Sequence, residues 1–449
     1  MDIQTPAISL GGTDVSRIID ESPLSRFQFG VFALCTLTIM IDGFDVQSIA
    51  YAAPVLTDAF HVERAMLGPV FSAGLIGTVL GALLIAPLAD RIGRKTALIG
   101  CIALFGLCSL ATAFAADLQQ LMLIRLIGGL GLGGATPIAV AVGAEFSPRK
   151  TRATIVMLIY CGYAIGAAGG GLISAWLLKA MTWHAIFVVG ALLPLLLVVA
   201  VSVWMPESIA YLAYRGTRPE LIANYARRID PSVTIDPTGA LAVEDRAQGF
   251  PVAQLFADGR TPRTVWLWLM FVTNILSLYF MISWFPTLAT AAGIDISSAL
   301  IAASLIQVGS IFGTLTLAAL ARKIDTFIVM SIGYSGGAVA LVLIALAGHS
   351  ATYLMVVAFI AGFFVIGTQT GANAVSALVY PPSIRSTGVG WALGIGRLGA
   401  IAGPYIGGEL IALHWSSRDL FTAAAVPAAI AALSAVVVSR LVRRSGGCL

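Results

Sequence analysis

The sequence is poor in charged residues, histidine and cysteine. Asp, Glu, Lys and Arg make up only 11% of its 449 residues, and there are four histidines and five cysteines. The histidines have no HxxxH or HxxE spacing, and no glycine-rich run is followed by Gly-Lys-Ser or Gly-Lys-Thr, so neither a metal site nor a nucleotide site is indicated. The cysteines have no paired arrangement and are interpreted as small packing residues. These absences argue against an enzyme, and no cofactor is predicted.

The chain is instead rich in apolar residues, which make up 58% of the sequence and give it a mean hydropathy of +0.93. A helix that crosses a bilayer needs about 20 predominantly apolar residues. The sequence predicts twelve such segments, TM1 to TM12, and therefore an all-α integral membrane protein in the lipid bilayer. The predicted segments lie at about 27–51, 68–88, 97–116, 121–144, 153–178, 184–205, 264–291, 299–319, 327–346, 352–378, 387–412 and 418–440.

The distribution of Lys and Arg predicts the orientation of the chain. If the N-terminus is inside, 21 of the 26 Lys and Arg residues fall on the inner side, and only Arg64, Lys179 and Arg418 fall on the outer side. The polar N-terminal segment also lacks the basic region and cleavage site of a signal peptide. We therefore expect both termini in the cytoplasm and the protein in the cell inner membrane. The net charge of +4 follows from this bias and requires no nucleic-acid partner.

The segments predict two six-helix halves joined by a long loop. The predicted organisation is a cytoplasmic tail (1–26), an N-terminal bundle (27–205), a cytoplasmic middle loop (206–263), a C-terminal bundle (264–440) and a cytoplasmic C-terminal tail (441–449). The middle loop is interpreted as a solvated linker with one short helix at about 219–228. The halves resemble each other, since Gly77-Thr78-Val79-Leu80-Gly81 matches Gly309-Ser310-Ile311-Phe312-Gly313. Two such repeats around a central site are typical of alternating-access transporters.

Four charged residues lie deep inside predicted membrane segments, away from the segment ends: Asp42 and Asp45 on TM1, Arg125 on TM4 and Arg397 on TM11. Charges at this depth are costly and usually pair, titrate or line a pathway. The two aspartates share a helix face and cannot both ionise cheaply, so we predict that one carries a proton. Arg125 is expected either to hold one aspartate ionised or to receive a substrate carboxylate. Arg397, in the other half, is predicted to anchor that carboxylate with its guanidinium fork.

The loop between TM2 and TM3, Leu88-Ala89-Asp90-Arg91-Ile92-Gly93-Arg94-Lys95, resembles the signature loop of the major facilitator superfamily. The sequence Met205-Pro206-Glu207-Ser208 is similar to the ending of TM6 in that superfamily, and the glycines after Arg125 resemble its TM4 pattern. The resemblance implies the twelve-helix major facilitator fold. Ion pairs and helix dipoles in this loop can hold the inner faces of the halves together. We therefore predict roles in gating for Asp90, Arg91, Gly93, Arg94 and Lys95, and for Glu145, Arg152 and Arg385 at the inner membrane edge.

Two further stretches resemble the aromatic acid:proton symporter family within that superfamily. They are Asp42-Gly43-Phe44-Asp45 in TM1 and the segment from Tyr380 to Gly399 that leads into TM11. The resemblance implies a monomeric importer that takes up a benzoate-like, hydroxybenzoate-like or lignin-derived carboxylic acid together with protons by alternating access.

An aromatic ring needs flat apolar walls and a few oriented polar groups. Both kinds of side chain occur at mid-helix depth on five predicted segments. The same residues are compatible with a structural role, since amides link membrane helices and aromatic rings fill cores. The candidates are Tyr160, Tyr163, Asn274, Tyr279, Gln307, Gln369, Asn373 and Trp391.

Other functions stay open at this point. A transporter of a sugar, a non-aromatic organic acid or a drug would share the superfamily motifs, and a membrane enzyme or receptor would share the apolar composition. The paired aspartates of TM1 and the intramembrane Arg397 favour an anionic substrate and proton coupling.

Overall fold

The computed structural model describes residues 8–10, 13–232, 241–243, 252–257, 259–380 and 384–444, and most of this part of the chain is helical. Each predicted membrane segment contains a long helix. TM10 is built from Ala351–Ala361, a π-helical turn Gly362–Ile366 and Gly367–Val379. The other helices are TM1 Arg26–Ala59, TM2 Leu67–Ile92, TM3 Arg94–Thr112, TM4 Leu118–Glu145, TM5 Arg152–Ala180, TM6 His184–Trp204, TM7 Thr261–Ala291, TM8 Ile296–Leu320, TM9 Thr326–Ala345, TM11 Arg385–Ala412 and TM12 Ser417–Arg444.

Eleven of the described helices are long and apolar enough to cross a membrane, which confirms a multi-pass membrane protein. TM11 is not among the eleven, and it carries Arg397, Glu409 and many glycines. TM1 continues to Ala59, past its predicted end at about residue 51. The reason is that Pro54 and Asp58 lower the local hydropathy without ending the helix.

Glycines set the helix contacts inside each half. A Cβ atom at Gly81 of TM2 would overlap the backbone of TM4 at Leu130. The equivalent Gly313 of TM8 lies against the backbone of TM10 at Phe363 in the same way. Close approach of this kind is how small residues hold membrane helices together. The repeated Gly-rich pattern of TM2 and TM8 therefore marks the same packing position in the two halves.

Buried apolar side chains form three clusters that divide the molecule into two sides. We call the side where TM1 begins and TM12 ends the terminal side, and the opposite side the distal side. The distal cluster combines residues of both halves, whereas the two terminal clusters each belong to one half. The halves are thus packed together on the distal side and separate on the terminal side. Because no buried cluster of described residues joins the halves on the terminal side, we infer that a central cavity between them opens to that side.

Four contacts close the distal side. Gly68 of TM2 packs on Gly408 of TM11, and Gly171 of TM5 packs on the Leu300 and Ser304 positions of TM8. The Ser72 hydroxyl donates a hydrogen bond of 2.9 Å to the Ile401 carbonyl of TM11. The ring of Phe71 on TM2 meets Trp284 of TM7 edge to face, with 5.2 Å between centroids. All four contacts join the N-terminal half to the C-terminal half.

The N-terminal tail and the middle loop are more structured than the sequence indicated. Strands β1 (Ile8–Leu10), β2 (Thr13–Asp14) and β3 (Leu241–Val243) form a small antiparallel sheet in the order β2, β1, β3. The described membrane segments themselves are helical, as the predicted all-α fold requires. The loop contains two helices, Ile209–Arg215 and Pro219–Ile229, where one was predicted. The second helix buries an apolar face, and its Tyr225 stacks on Phe27 at 5.8 Å. The sequence analysis missed this apolar face because the loop was judged by its average composition, and the arginines on the opposite face of the helix lower its average hydropathy.

Candidate functional site

Asp45 and Arg125 form an ion pair inside the N-terminal half. The Arg125 Nη1 atom lies 3.4 Å from Asp45 Oδ2, and Nη2 donates a 3.0 Å hydrogen bond to the Asp45 backbone carbonyl. Both side chains are buried, with 3% and 8% of their surfaces exposed. Ser109 of TM3 lies close enough to interact with the same carboxylate. Asp45 therefore has its own cation within one half of the protein.

Asp42 has different partners. Its carboxylate is buried and accepts a short hydrogen bond from the Thr136 hydroxyl of TM4. Its cationic electrostatic partner is Arg397, which comes from TM11 in the opposite half. Gly43, next to Asp42, lets TM1 approach the Tyr163 carbonyl of TM5 so closely that a Cβ atom would not fit. This approach brings Asp42 towards the tyrosines of TM5.

Three of the predicted aromatic residues gather around this acid and base. Tyr160 and Tyr279 lie within electrostatic reach of both Arg397 and Asp42. Tyr163 interacts with Asp42 and with the Tyr279 hydroxyl. The Tyr160 side chain and the Arg397 side chain are exposed. The result is a central site with one carboxylate, one guanidinium and several aromatic rings that come from both halves.

The remaining predicted lining residues are placed less centrally. Asn274 of TM7 is buried, and its amide donates a short hydrogen bond to the Gln369 side chain of TM10. Gln307 of TM8 is also buried. Trp391 stacks on Trp268 at 5.9 Å near the terminal end of TM11, apart from the central tyrosines. Asn373 lies on TM10, but its side chain is outside the described part of the structure.

The predicted gating loop forms ion pairs within the N-terminal half. Arg94 lies 3.6 Å from Asp90 and 2.9 Å from Glu145 of TM4. Glu145 is buried and also accepts hydrogen bonds from the Ser208 hydroxyl and the Ala210 backbone amide, which begin the helix after TM6. The described contacts therefore tie TM3, TM4 and the middle loop together rather than bridging the halves.

The neighbouring loop groups contact the same middle-loop segment. The Arg91 carbonyl accepts a hydrogen bond from Arg215, and the Lys95 backbone amide donates to Glu207 at 3.0 Å. Gly93 has a φ of 99°, in the region that favours glycine, and joins TM2 to TM3.

The two other predicted gating cations differ from each other. Arg152 of TM5 lies 3.3 Å from Asp20 in the N-terminal tail and donates to the Ser147 carbonyl. Arg385, the first residue of TM11, is exposed. Arg152 thus holds the tail against the N-terminal half.

Sequence reasoning missed several polar residues of the site. Thr136 and Ser109 were missed because a single hydroxyl in an apolar helix carries no pattern. A narrow cleft next to Arg125 and Tyr279 also contains Gln47, Thr78 and Ser283. The placement of Gln47 one turn beyond the aspartates on TM1 was an available signal. Among the described residues, no group of three His, Cys, Asp or Glu side chains is placed to hold a metal ion.

Comparison with known proteins agrees with this architecture. Residues 35–352 and 304–446 match the model of the Major Facilitator Superfamily. The 4-hydroxybenzoate transporter PcaK of Pseudomonas putida is 36% identical over 427 residues, which cover 94% of this chain and 95% of that protein. The gallate transporter of Pseudomonas putida is 34% identical over 421 residues and 94% of each chain.

A solved structure supports the fold independently. The xylose transporter XylE of E. coli, in a partially occluded inward-open conformation, superposes with a TM-score of 0.71 at 16% identity, over 94% of this chain and 98% of that chain. The chain therefore belongs to the major facilitator superfamily, and its relatives confirm the resemblance to the aromatic acid:proton symporter family that the motifs of TM1 and TM11 indicated.

Proposed function

We propose that this protein is a secondary transporter, not an enzyme, and that it imports an aromatic carboxylic acid together with protons by alternating access. The observation that carries the proposal is that Asp42 and Arg397, from opposite halves, lie within electrostatic reach of each other, with Tyr160 and Tyr279 within reach of both. A guanidinium can bind a carboxylate with two parallel hydrogen bonds, and the tyrosines offer ring surfaces for an aromatic substrate. The names of the relatives, which are transporters of 4-hydroxybenzoate and gallate, support this substrate class.

The charges of the site favour coupling to protons. The described membrane interior contains two acids and two arginines at this site, and Asp45 is already paired with Arg125. The carboxylate that remains is Asp42, and the cation that remains is Arg397. An ionised Asp42 competes with a substrate carboxylate for Arg397. A proton on Asp42 removes that competition, so proton and substrate bind together.

Rocking of the halves would complete the cycle. Asp42 and Arg397 belong to opposite halves, so their separation changes whenever the halves move relative to each other. On the side where the proton leaves, the ionised Asp42 attracts Arg397 again and weakens its hold on the substrate. Release of the proton therefore promotes release of the acid.

The orientation of the chain follows from the distribution of its cations. With both termini in the cytoplasm, the terminal side is the cytoplasmic side, and the open cavity corresponds to an inward-facing state. The location we propose is the cell inner membrane. The proposed functional unit is a monomer with bundles at 27–205 and 264–440, a middle loop at 206–263, and cytoplasmic tails at 1–26 and 441–449.

The gating residues fit this state. In an inward-facing transporter, the loop from Asp90 to Lys95 is not expected to bridge the halves, and its ion pairs stay within the N-terminal half. We propose that closing the cytoplasmic side brings this loop against TM11, where Arg385 is exposed and accessible.

Uptake into cells that express the chain tests the proposal. A panel of radiolabelled aromatic acids is measured with and without a protonophore, and cells that do not express the chain serve as the control. We expect accumulation of at least one aromatic acid that the protonophore abolishes. If no aromatic acid accumulates although the protein is present in the membrane, the substrate belongs to another class, such as a sugar, a drug or a non-aromatic acid.

A further inference from the structure

Thr136 differs from several other described threonines of the bundle. The hydroxyls of Thr36, Thr38, Thr112 and Thr273 donate to carbonyl groups of their own helices, one turn back. The Thr136 hydroxyl instead crosses from TM4 to TM1 and donates to Asp42 Oδ2. A donor that could bond within its own helix is therefore aimed at the carboxylate that the proposed transport cycle protonates.

We propose that Thr136 is a positioning residue that sets the pH at which Asp42 takes up and releases its proton. The inference rests on the proposed function and extends it to a residue of the N-terminal half. A hydrogen bond donated to a carboxylate stabilises its ionised form. It also holds the carboxylate in one orientation through its Oδ2 atom.

The two partners of Asp42 have different dependence on the conformational state. Thr136 and Asp42 lie in the same half, so their hydrogen bond moves with that half and persists in both the inward-facing and outward-facing states. Arg397 lies in the other half, so its interaction changes as the halves rock. Thr136 thus provides a constant contribution to the proton affinity of Asp42, and Arg397 provides the part that alternates.

The surroundings of Asp42 leave few other groups that could take this role. Arg125 on TM4 is occupied by Asp45. The other titratable or charged groups that face the Asp42 carboxylate are Asp45 from its own helix, Tyr160 and Tyr163 from TM5, Tyr279 from TM7 and Arg397 from TM11. In the described part of the structure, Thr136 is the hydroxyl that makes a direct hydrogen bond to Asp42.

The experiment compares Thr136→Val, which keeps the shape and removes the hydroxyl, with Thr136→Ser, which keeps the hydroxyl. Thr136→Ala repeats the deletion with a smaller side chain. Thr38→Val is the matched control, because Thr38 is buried in the same half and donates to the Leu34 carbonyl at 2.8 Å. Each purified variant is titrated by infrared difference spectroscopy, and the carbonyl band of protonated Asp42 is identified by its absence in Asp42→Asn.

We expect the Asp42 band of Thr136→Val and Thr136→Ala to titrate about half to one pH unit higher than in the wild type. The pH at which uptake is half-maximal should move in the same direction. Thr136→Ser and Thr38→Val should titrate like the wild type. An unchanged titration in Thr136→Val, or an equal shift in Thr136→Ser or Thr38→Val, overturns the inference.

The spectroscopic measurement needs no substrate, so it separates the two proposals. If the band shifts as expected but no aromatic acid is taken up, the inference about Thr136 stands and the proposed substrate is wrong. If an aromatic acid is taken up but the band does not shift, the transporter assignment stands and the role of Thr136 is rejected.

Discussion

Inside each half, glycines bring helix backbones together, and in the N-terminal half a buried ion pair also joins TM1 to TM4, whereas the contacts that close the two halves together lie on the distal side. Gly81 and Gly313 hold helices within a half, and Asp45 holds Arg125. The contacts described between the halves are the packing of Gly68 and Gly171 on the other half, the Ser72 hydrogen bond, the Phe71 and Trp284 rings, and the attraction between Asp42 and Arg397. Each half is therefore built as a rigid body, and the interactions between the halves are those that transport must break and remake.

The largest expected effect comes from breaking the ion pair within a half. Asp45→Asn leaves Arg125 buried without its counter-charge, which costs about 3–5 kcal/mol of stability. We expect a strongly lowered melting temperature in detergent and little folded protein. Glu21→Gln is the control, since it breaks an exposed pair with Arg17 and should leave the melting temperature unchanged. A wild-type melting temperature for Asp45→Asn would mean that this pair does not hold the half together.

The second largest effect is expected for Asp42, whose electrostatic partner Arg397 lies in the other half. Asp42→Asn cannot exchange a proton, so accumulation of substrate against its gradient should be lost while the protein stays folded. Exchange of labelled for unlabelled substrate across vesicles should persist, because it needs no net proton movement. Asp58→Asn, at the exposed distal end of TM1, is the control with normal accumulation. Proton-driven accumulation by Asp42→Asn would assign the coupling to another group.

A smaller effect, on the affinity for substrate, is expected for Arg397. Arg397→Lys keeps the charge but loses the planar fork, so the half-saturation concentration for uptake should rise roughly tenfold. Kinetic uptake assays measure this change, and Arg418→Lys on the exposed distal surface should behave like the wild type. An unaltered half-saturation concentration in Arg397→Lys would argue that the substrate carboxylate binds elsewhere.

The smallest effect is expected for the contacts that hold the two halves together on the distal side. Ser72→Ala removes one hydrogen bond between the halves, worth about 1 kcal/mol, and should shift the equilibrium about fivefold towards the state that is open on the distal side. Distances between spin labels at the distal ends of TM2 and TM11 report this equilibrium. Ser434→Ala, which removes a bond of 2.7 Å within TM12, should not change the distances. Equal shifts in both variants would show that the Ser72 bond has no special role.

The helices and the membrane charges were predictable because hydropathy and charge are properties of a local segment. The helix Pro219–Ile229 was predicted, but its packing against the bundle was missed for the same reason, since its apolar face averages out against its arginines. Arg125 was predicted as a possible counter-ion for one aspartate, but which aspartate it pairs with was not predictable. That Asp45 takes Arg125 and Asp42 takes Thr136 depends on how TM1 and TM4 rotate about their axes, which glycine contacts such as Gly43 on Tyr163 decide.

The lining residues illustrate the same limit. Tyr160 and Tyr279 lie in reach of Arg397, whereas Trp391, only six residues before Arg397 on TM11, stacks on Trp268 instead. Sequence position gives the depth of a residue in the membrane. It does not give the direction in which the side chain points when every face of the helix is apolar.

The small sheet has a consequence for the order in which the protein is assembled during synthesis. Strand β1 is translated before TM1, but its partner β3 at Leu241–Val243 is translated only after TM6. The sheet can therefore close only once the first six helices have been made, and it cannot guide their insertion. The sheet therefore forms only after the N-terminal half has been synthesised. A fusion partner placed ahead of β1 would stay attached to an unpaired strand until β3 is made.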